Sequence, residues 1–131
     1  MAKVTASLGT ELYHIEITSP TGNVLLADEP VDKGGKDRGF SPKELLASAL
    51  AACTSATVRM YADRKQWPLE EVKVDIDLEK DEAANKTMIN RRIKFIGSLD
   101  EGQRKRLLVV ANACPIHKIL SNPIEIETEL A

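Results

Sequence analysis

A long segment without charge lies near the middle of the chain, within Ser41-Pro42-Lys43-Glu44-Leu45-Leu46-Ala47-Ser48-Ala49-Leu50-Ala51-Ala52-Cys53-Thr54-Ser55-Ala56-Thr57-Val58. Ser41 can cap the free N–H groups of a helix start, Pro42 suits the first helical position, and Glu44 completes a capping-box spacing. No residue from Leu45 to Cys53 is charged. Because a helix that is apolar on every side is normally buried, this segment predicts a central core helix with Cys53 near its middle.

The same helix is expected to run from about Pro42 to Lys65. The polar residues from Arg59 onward indicate that its second half reaches water, and Trp67-Pro68 ends it because proline cannot continue a helix. The polar, glycine-rich residues Asp32 to Gly39 lead into the helix. They favour a flexible connector over a loop beside an active centre.

Alternating apolar and polar residues predict strands on both sides of this helix. Before it, the strands are expected around Lys3 to Leu8, Tyr13 to Ile17 and Val24 to Ala27. After it, they are expected at Val72 to Leu78, Ile89 to Phe95 and, closing the chain, Ile124 to Leu130. Asp100 caps a second helix, and Pro115 can start a short third one with Cys114 at or beside its N-terminus.

The predicted order is β-β-β-α-β-β-α-β, in a single domain of residues 1–131. Short connections between neighbouring strands favour antiparallel pairing, so the fold class is α+β with a buried central helix. Arg91 falls on the apolar face of its strand. An arginine in such a row usually extends to the sheet edge, and less often is a buried pair or an anion ligand.

Composition excludes several classes of function. The net charge of −2 over 131 residues gives no basic field for nucleic acid, and aromatic residues make up only 4% of the chain. The N-terminus lacks the apolar run of a signal peptide, and no segment is expected to span a membrane. We therefore expect a cytoplasmic protein with no nucleic-acid or membrane partner.

The two cysteines, Cys53 and Cys114, allow three interpretations. Free cysteines are usually small core residues. A metal site is a second possibility, because Cys114 and His117 share a helix face at i, i+3 spacing, although only Cys53 and His14 remain as further ligands and a structural zinc needs four. A redox pair is the third, since a helix N-terminus lowers the pKa of a thiol and Cys114 is expected at one.

Two motifs in this order resemble the OsmC/Ohr family (osmotically inducible protein C and organic hydroperoxide resistance protein). One is the helix from Ser41-Pro42 to Ala52-Cys53, and the other is Cys114-Pro115-Ile116-His117-Lys118. The strands and helix between them also match in order. The His117-Lys118 ending and the residues from Arg59 to Lys65 are similar to the OsmC-like branch of the family.

The resemblance implies a thiol peroxidase that reduces organic hydroperoxides without a metal or an organic cofactor. It implies an intertwined homodimer with the central helices packed inside. Cys53 would attack the peroxide and become a sulfenic acid, and Cys114 would resolve it to a disulfide that an external dithiol reduces.

In this family an arginine from the N-terminal half holds the thiolate, and a glutamate fixes that arginine. By the resemblance, Arg38 is the candidate arginine, because no other arginine precedes Cys53, and Arg91 is a fallback. Glu44 is the candidate glutamate, although Lys43 occupies the matching position and Glu44 serves equally well as a helix cap. The alternative function is a non-catalytic protein that holds a small hydrophobic ligand at the dimer interface.

Overall fold

The computed structural model describes residues 1–131 and divides into two compact units, residues 1–46 and 47–131. The elements in chain order are β1 (Thr5–Leu8), β2 (Ile15–Thr18), β3 (Val24–Ala27), a 3-10 turn (Val31–Lys33), α1 (Pro42–Lys65), β4 (Leu69–Asp81), β5 (Lys86–Gly97), α2 (Glu101–Ala111) and α3 (Pro115–Leu120). Helices and small antiparallel sheets confirm the predicted α+β class.

The first unit contains a three-stranded antiparallel sheet in the order β1-β2-β3. The chain then returns along β3, where Ala27 and Phe40 form an isolated parallel bridge. This close return requires a residue without a side chain, because a Cβ at Gly39 would lie 2.2 Å from the carbonyl oxygen of Leu26.

Asp28 holds the loop that follows β3. Its carboxylate is 1% exposed and accepts backbone N–H groups from Tyr13 (3.3 Å), Glu29 (2.8 Å) and Arg38 (3.2 Å). Burial acts to raise the pKa of Asp28, but these backbone bonds outweigh it and the pKa is lowered. The segment that its composition predicts to be a flexible connector is therefore anchored at Asp28.

Helix α1 begins and ends where the sequence predicts. Its capping box is formed, since the backbone N–H of Ser41 donates to Glu44 Oε1 (2.8 Å) and the N–H of Glu44 donates to Ser41 Oγ (3.2 Å). The expectation that α1 is buried on every side is wrong for a single chain. Its buried residues form one stripe at i, i+4 spacing, namely Leu50, Thr54, Val58 and Ala62. The rest of this chain leaves the other faces of α1 less covered.

The expectation that no segment of the chain could span a membrane is wrong for α1, which is long and apolar enough to do so. Its 24 residues include a window with a mean hydropathy of 1.2, which meets the length and composition of a membrane span. This is weak evidence, because the core helix of a soluble protein has the same properties.

The second unit is built on the β4–β5 hairpin, which pairs from Leu69↔Gly97 to Asp81↔Lys86. One face of the hairpin is apolar and packs on the helices, and the other carries charges, as the alternation of residues predicts. The core consists of Val58, Ala62, Leu69, Phe95, Leu99, Leu107 and Ala111.

The two C-terminal helices begin as predicted. Asp100 caps α2 through its side chain, which accepts the N–H of Gln103 at 2.7 Å, and Cys114 is the residue that precedes Pro115 at the start of α3. The predicted closing strand is wrong for this chain. Residues 123–131 have no regular structure, and Ile126 and Leu130 are 84% and 99% exposed. Alternation gives a segment the tendency to form a strand, but a strand forms only when the segment pairs with another, and residues 123–131 pair with no strand of this chain.

Candidate active site

The side chains of Cys53 and Cys114 lie close enough together that each shifts the pKa of the other. Cys53 lies in the middle of α1, directly before the buried Thr54, and is half-buried. Cys114 is fully buried at the start of α3, where Pro115 fixes the beginning of the helix. The fold thus brings together the two cysteines that the sequence singles out.

The two thiols differ in acidity. Burial raises the pKa of the Cys53 thiol, and its interaction with Cys114 raises it further. Burial also acts to raise the pKa of Cys114. The opposing interactions outweigh burial, so the pKa of Cys114 is lowered. These interactions come from the Cys53 side chain, the backbone N–H groups of His117 and Ile116, and the Thr54 side chain. At the first ionisation of the pair, the charge therefore forms on Cys114 and the proton stays on Cys53.

Thr54 connects this pair to a cation. Arg91 Nη1 donates to Thr54 Oγ1 at 2.9 Å, and that hydroxyl donates to the carbonyl of Leu50 at 2.7 Å. Thr54 also helps to lower the pKa of Cys114. Arg91 lies on the apolar face of β5, opposite Ile76 of β4. The more usual expectation, that the arginine extends to the sheet edge, is wrong. Arg91 points into this polar cluster instead.

Arg91 makes two more hydrogen bonds, both from Nη2. One goes to Asn112 Oδ1 at 2.9 Å and the other joins His117 Nδ1 at 3.1 Å. Because an arginine can only donate, Nδ1 of His117 is the acceptor in this bond and its ring proton lies on Nε2. Sequence reasoning considered His117 only as a metal ligand, and it missed Thr54 and Asn112, which carry no distinguishing pattern.

Arg38 and Glu44, the other two predicted site residues, lie in the first unit. Arg38 Nη1 pairs with Glu11 Oε1 at 2.7 Å, and Arg38 Nε lies 3.5 Å from Asp28 Oδ2. The hydrogen bond from Arg38 lowers the pKa of Glu11. Glu44 takes part in the capping box of α1, and catalytic roles for Arg38 and Glu44 stay predictions.

For the metal alternative, the chain contains no group of three or more His, Cys, Asp or Glu side chains close enough to hold an ion. His14 Nδ1 is buried without a hydrogen-bond partner.

A family model described as "OsmC-like protein" matches residues 34–129, which is most of the chain. The chain belongs to the OsmC-like family. This confirms the resemblance carried by the Cys53 and Cys114 motifs. No curated protein sequence matches the chain.

Solved structures with similar folds include other OsmC-like proteins. A putative osmotic stress induced and detoxification response protein from Psychrobacter arcticus is 23% identical, with a TM-score of 0.79 over 91% of this chain and 88% of the other. An OsmC-like protein from Mycoplasma pneumoniae is 22% identical, with a TM-score of 0.78 over 92% and 87%. The organic hydroperoxide resistance protein OhrB of Bacillus subtilis is 26% identical, with a TM-score of 0.63 over 91% and 89%.

Proposed function

We propose that this OsmC-like protein is a thiol peroxidase that reduces organic hydroperoxides through Cys53 and Cys114. The observation that carries the proposal is the closeness of the two thiols, each of which shifts the pKa of the other. Two thiols in contact can close to a disulfide with little movement of the backbone. The fold shared with a protein named for organic hydroperoxide resistance supports the choice of substrate.

Cys53 is the nucleophile in this proposal because it is partly exposed, whereas Cys114 has no exposed surface. The proton of Cys53 passes to the nearby Cys114 thiolate. The Cys53 thiolate then attacks the distal oxygen of the hydroperoxide, the O–O bond breaks, and Cys53 becomes a sulfenic acid. The leaving alkoxide takes the proton from Cys114, which is a thiolate again.

The second half of the cycle closes the disulfide. The Cys114 thiolate attacks the Cys53 sulfenic sulfur, the S–S bond forms, and hydroxide leaves as water after taking a proton from solvent. An external dithiol then supplies two electrons and two protons and restores both thiols. The sum is one hydroperoxide and one dithiol converted to an alcohol, water and a disulfide, with no metal or organic cofactor in any step.

Two cations are candidates for stabilising the thiolates. Arg91 is the stronger one on geometry, since it acts through Thr54, whose hydroxyl reaches Cys114. Arg38 stays the candidate by family resemblance, with Glu11 as the carboxylate that orients it. We keep Glu44 as a capping residue that orders the start of α1.

We also propose that the protein works as a homodimer. Two features support this: α1 buries one stripe only, and the C-terminal residues Ile124 to Leu130 keep the alternation of a strand while being exposed. A second copy of the chain would cover the remaining faces of α1 and the exposed C-terminal residues. Sedimentation or light scattering showing a monomer at micromolar concentration would contradict the dimer.

A non-catalytic ligand-binding role is the second candidate. The raised pKa of Cys53 favours it, because a binding protein has no need of a Cys53 thiolate. The lowered pKa of Cys114 favours the peroxidase, because it shows that the pair stabilises one negative charge.

Stopped-flow mixing of the reduced protein with cumene hydroperoxide or hydrogen peroxide tests the proposal. We expect fast consumption of the organic peroxide, its loss in Cys53→Ser, and a first turnover in Cys114→Ser that ends in a trapped sulfenic acid. Consumption no faster than that by a free thiol would reject the peroxidase and leave the binding role.

A further inference from the structure

A cavity of about 230 Å³ opens between α1, β5 and α3 in the second unit. Its lining combines apolar and polar side chains. The apolar residues are Leu50, Ile89 and Leu120, and the polar residues are Thr87, Arg91, His117 and Ser121. Neither cysteine lines the cavity, but Leu50 lies one helical turn before Thr54, the residue that joins Arg91 to Cys114.

The charge of Arg91 is not compensated by any carboxylate of this chain. Its three hydrogen-bond partners are the side chains of Thr54, Asn112 and His117, none of which carries a negative charge. The carboxylates of β4 lie on the opposite face of the hairpin, where Asp77 pairs with Arg92 at 3.0 Å. A half-buried guanidinium without a counter-ion attracts an anion into the cavity that it lines.

The donor groups around the cavity match a carboxylate. A guanidinium carries five N–H donors, and three bonds from Arg91 leave two for a ligand. They are the Nε–H and one Nη1–H, which lie on different edges of the guanidinium, so each can donate a single charge-assisted hydrogen bond to a carboxylate oxygen. His117 adds a further donor, because its Nδ1 accepts from Arg91 and its Nε2 carries the ring proton.

We propose that this cavity is a binding site for a small organic monocarboxylate, with Arg91 as its anchor. The carboxylate pairs with the guanidinium, and a short apolar body lies against Leu50, Ile89 and Leu120. The volume is below the ~300–1,000 Å³ of pockets for drug-sized ligands, so the ligand is short. The site exists whether or not the dithiol reduces peroxides.

The test is a binding measurement in which no peroxide is used. Hexanoate and its uncharged analogue hexanamide are titrated into the full-length Cys53→Ser protein, followed by calorimetry and by protein NMR. We expect hexanoate to bind with shifts at Arg91 and Leu120, and to bind ~10-fold or more tightly than hexanamide, since the charge-assisted pair is lost in the amide.

Two arginine variants make the matched comparison. Arg91→Met should weaken hexanoate binding ~10-fold or more, while Arg92→Met, one residue away on the opposite face, should leave it unchanged. Arg91→Lys keeps the charge and should bind with intermediate affinity. The Arg91→Lys variant also keeps the comparison possible if Arg91→Met fails to fold.

Three results would overturn the proposal. Equal binding of the acid and the amide would make the cavity merely apolar. An effect of Arg92→Met as large as that of Arg91→Met would reduce the interaction to general charge attraction. No saturable binding of hexanoate to the folded protein would remove the site, and the peroxidase proposal would stand or fall separately.

Discussion

The thiol of Cys53, in the middle of α1, lies close to the thiol of Cys114, at the start of α3. Since each thiol alters the acidity of the other, the two behave as one dithiol that loses its protons in two steps. The first step falls below and the second above the ordinary range of a cysteine.

The first prediction concerns this coupling. Cys114→Ala removes the neighbouring group that raises the pKa of Cys53, so we expect that pKa to fall. Cys53→Ala should have the opposite effect on Cys114, which loses the thiol that lowers its pKa. Ultraviolet absorbance of the thiolate against pH measures both. An unchanged pKa in either variant would mean that the two thiols are independent.

The second prediction tests Thr54 as the connection between Arg91 and Cys114. Thr54→Val keeps the shape of the buried side chain but removes the hydroxyl, leaving an Arg91 donor without its acceptor. We expect a loss of ~1–3 kcal/mol in the free energy of unfolding and a higher pKa for Cys114. Ser55→Ala is the control, because that hydroxyl donates to the carbonyl of Ala51. If Ser55→Ala raised the pKa of Cys114 as much as Thr54→Val does, Thr54 would have no specific role.

The third prediction tests the core of the second unit. Leu107 is fully buried and Leu108, the next residue of α2, is 54% exposed. Leu107→Ala should lower the free energy of unfolding by about 2–5 kcal/mol, because it removes apolar contacts and leaves a cavity. Leu108→Ala should change it by only about 0.5 kcal/mol. Urea unfolding measures both, and similar losses in the two variants would contradict the packing described for α2.

The fourth prediction concerns acid stability. The lowered pKa of Asp28 means that its ionised form stabilises the fold at pH values above the ordinary aspartate pKa. That contribution is lost as the pH falls through the lowered, folded-state pKa. Asp28→Asn should therefore be less stable than the natural protein near neutral pH, with a difference that shrinks in acid. A stability difference that does not depend on pH would reject the electrostatic role of Asp28.

Local signals in the sequence were sufficient for the ends of the helices. Ser41 and Glu44 bond within one turn, Asp100 caps α2, and Pro115 starts α3. Each of these features depends on residues three or four positions apart, so the chain elsewhere does not alter it. For the same reason Cys114 was correctly expected at a helix start.

Features that depend on distant parts of the chain were not predictable. Hydrophobicity indicates that the faces of α1 avoid water, but not which element covers them, and a single chain covers one stripe. The cluster around Arg91 assembles Thr54 from α1 with Asn112 at the end of α2 and His117 of α3. None of these neighbours is close to Arg91 in sequence, so no spacing rule could have found them.

The pairing of β4 with β5 selects which of two adjacent arginines faces the cavity. Arg91 lies on the apolar side and Arg92 on the charged side, with Asp77. A shift of β5 by one residue would exchange them, but it would also turn the row containing Ile93 and Phe95 toward water. A single-residue insertion near the start of β5 would therefore be destabilising, because it would expose this apolar row. The same row keeps Arg91, rather than Arg92, on the side of the dithiol.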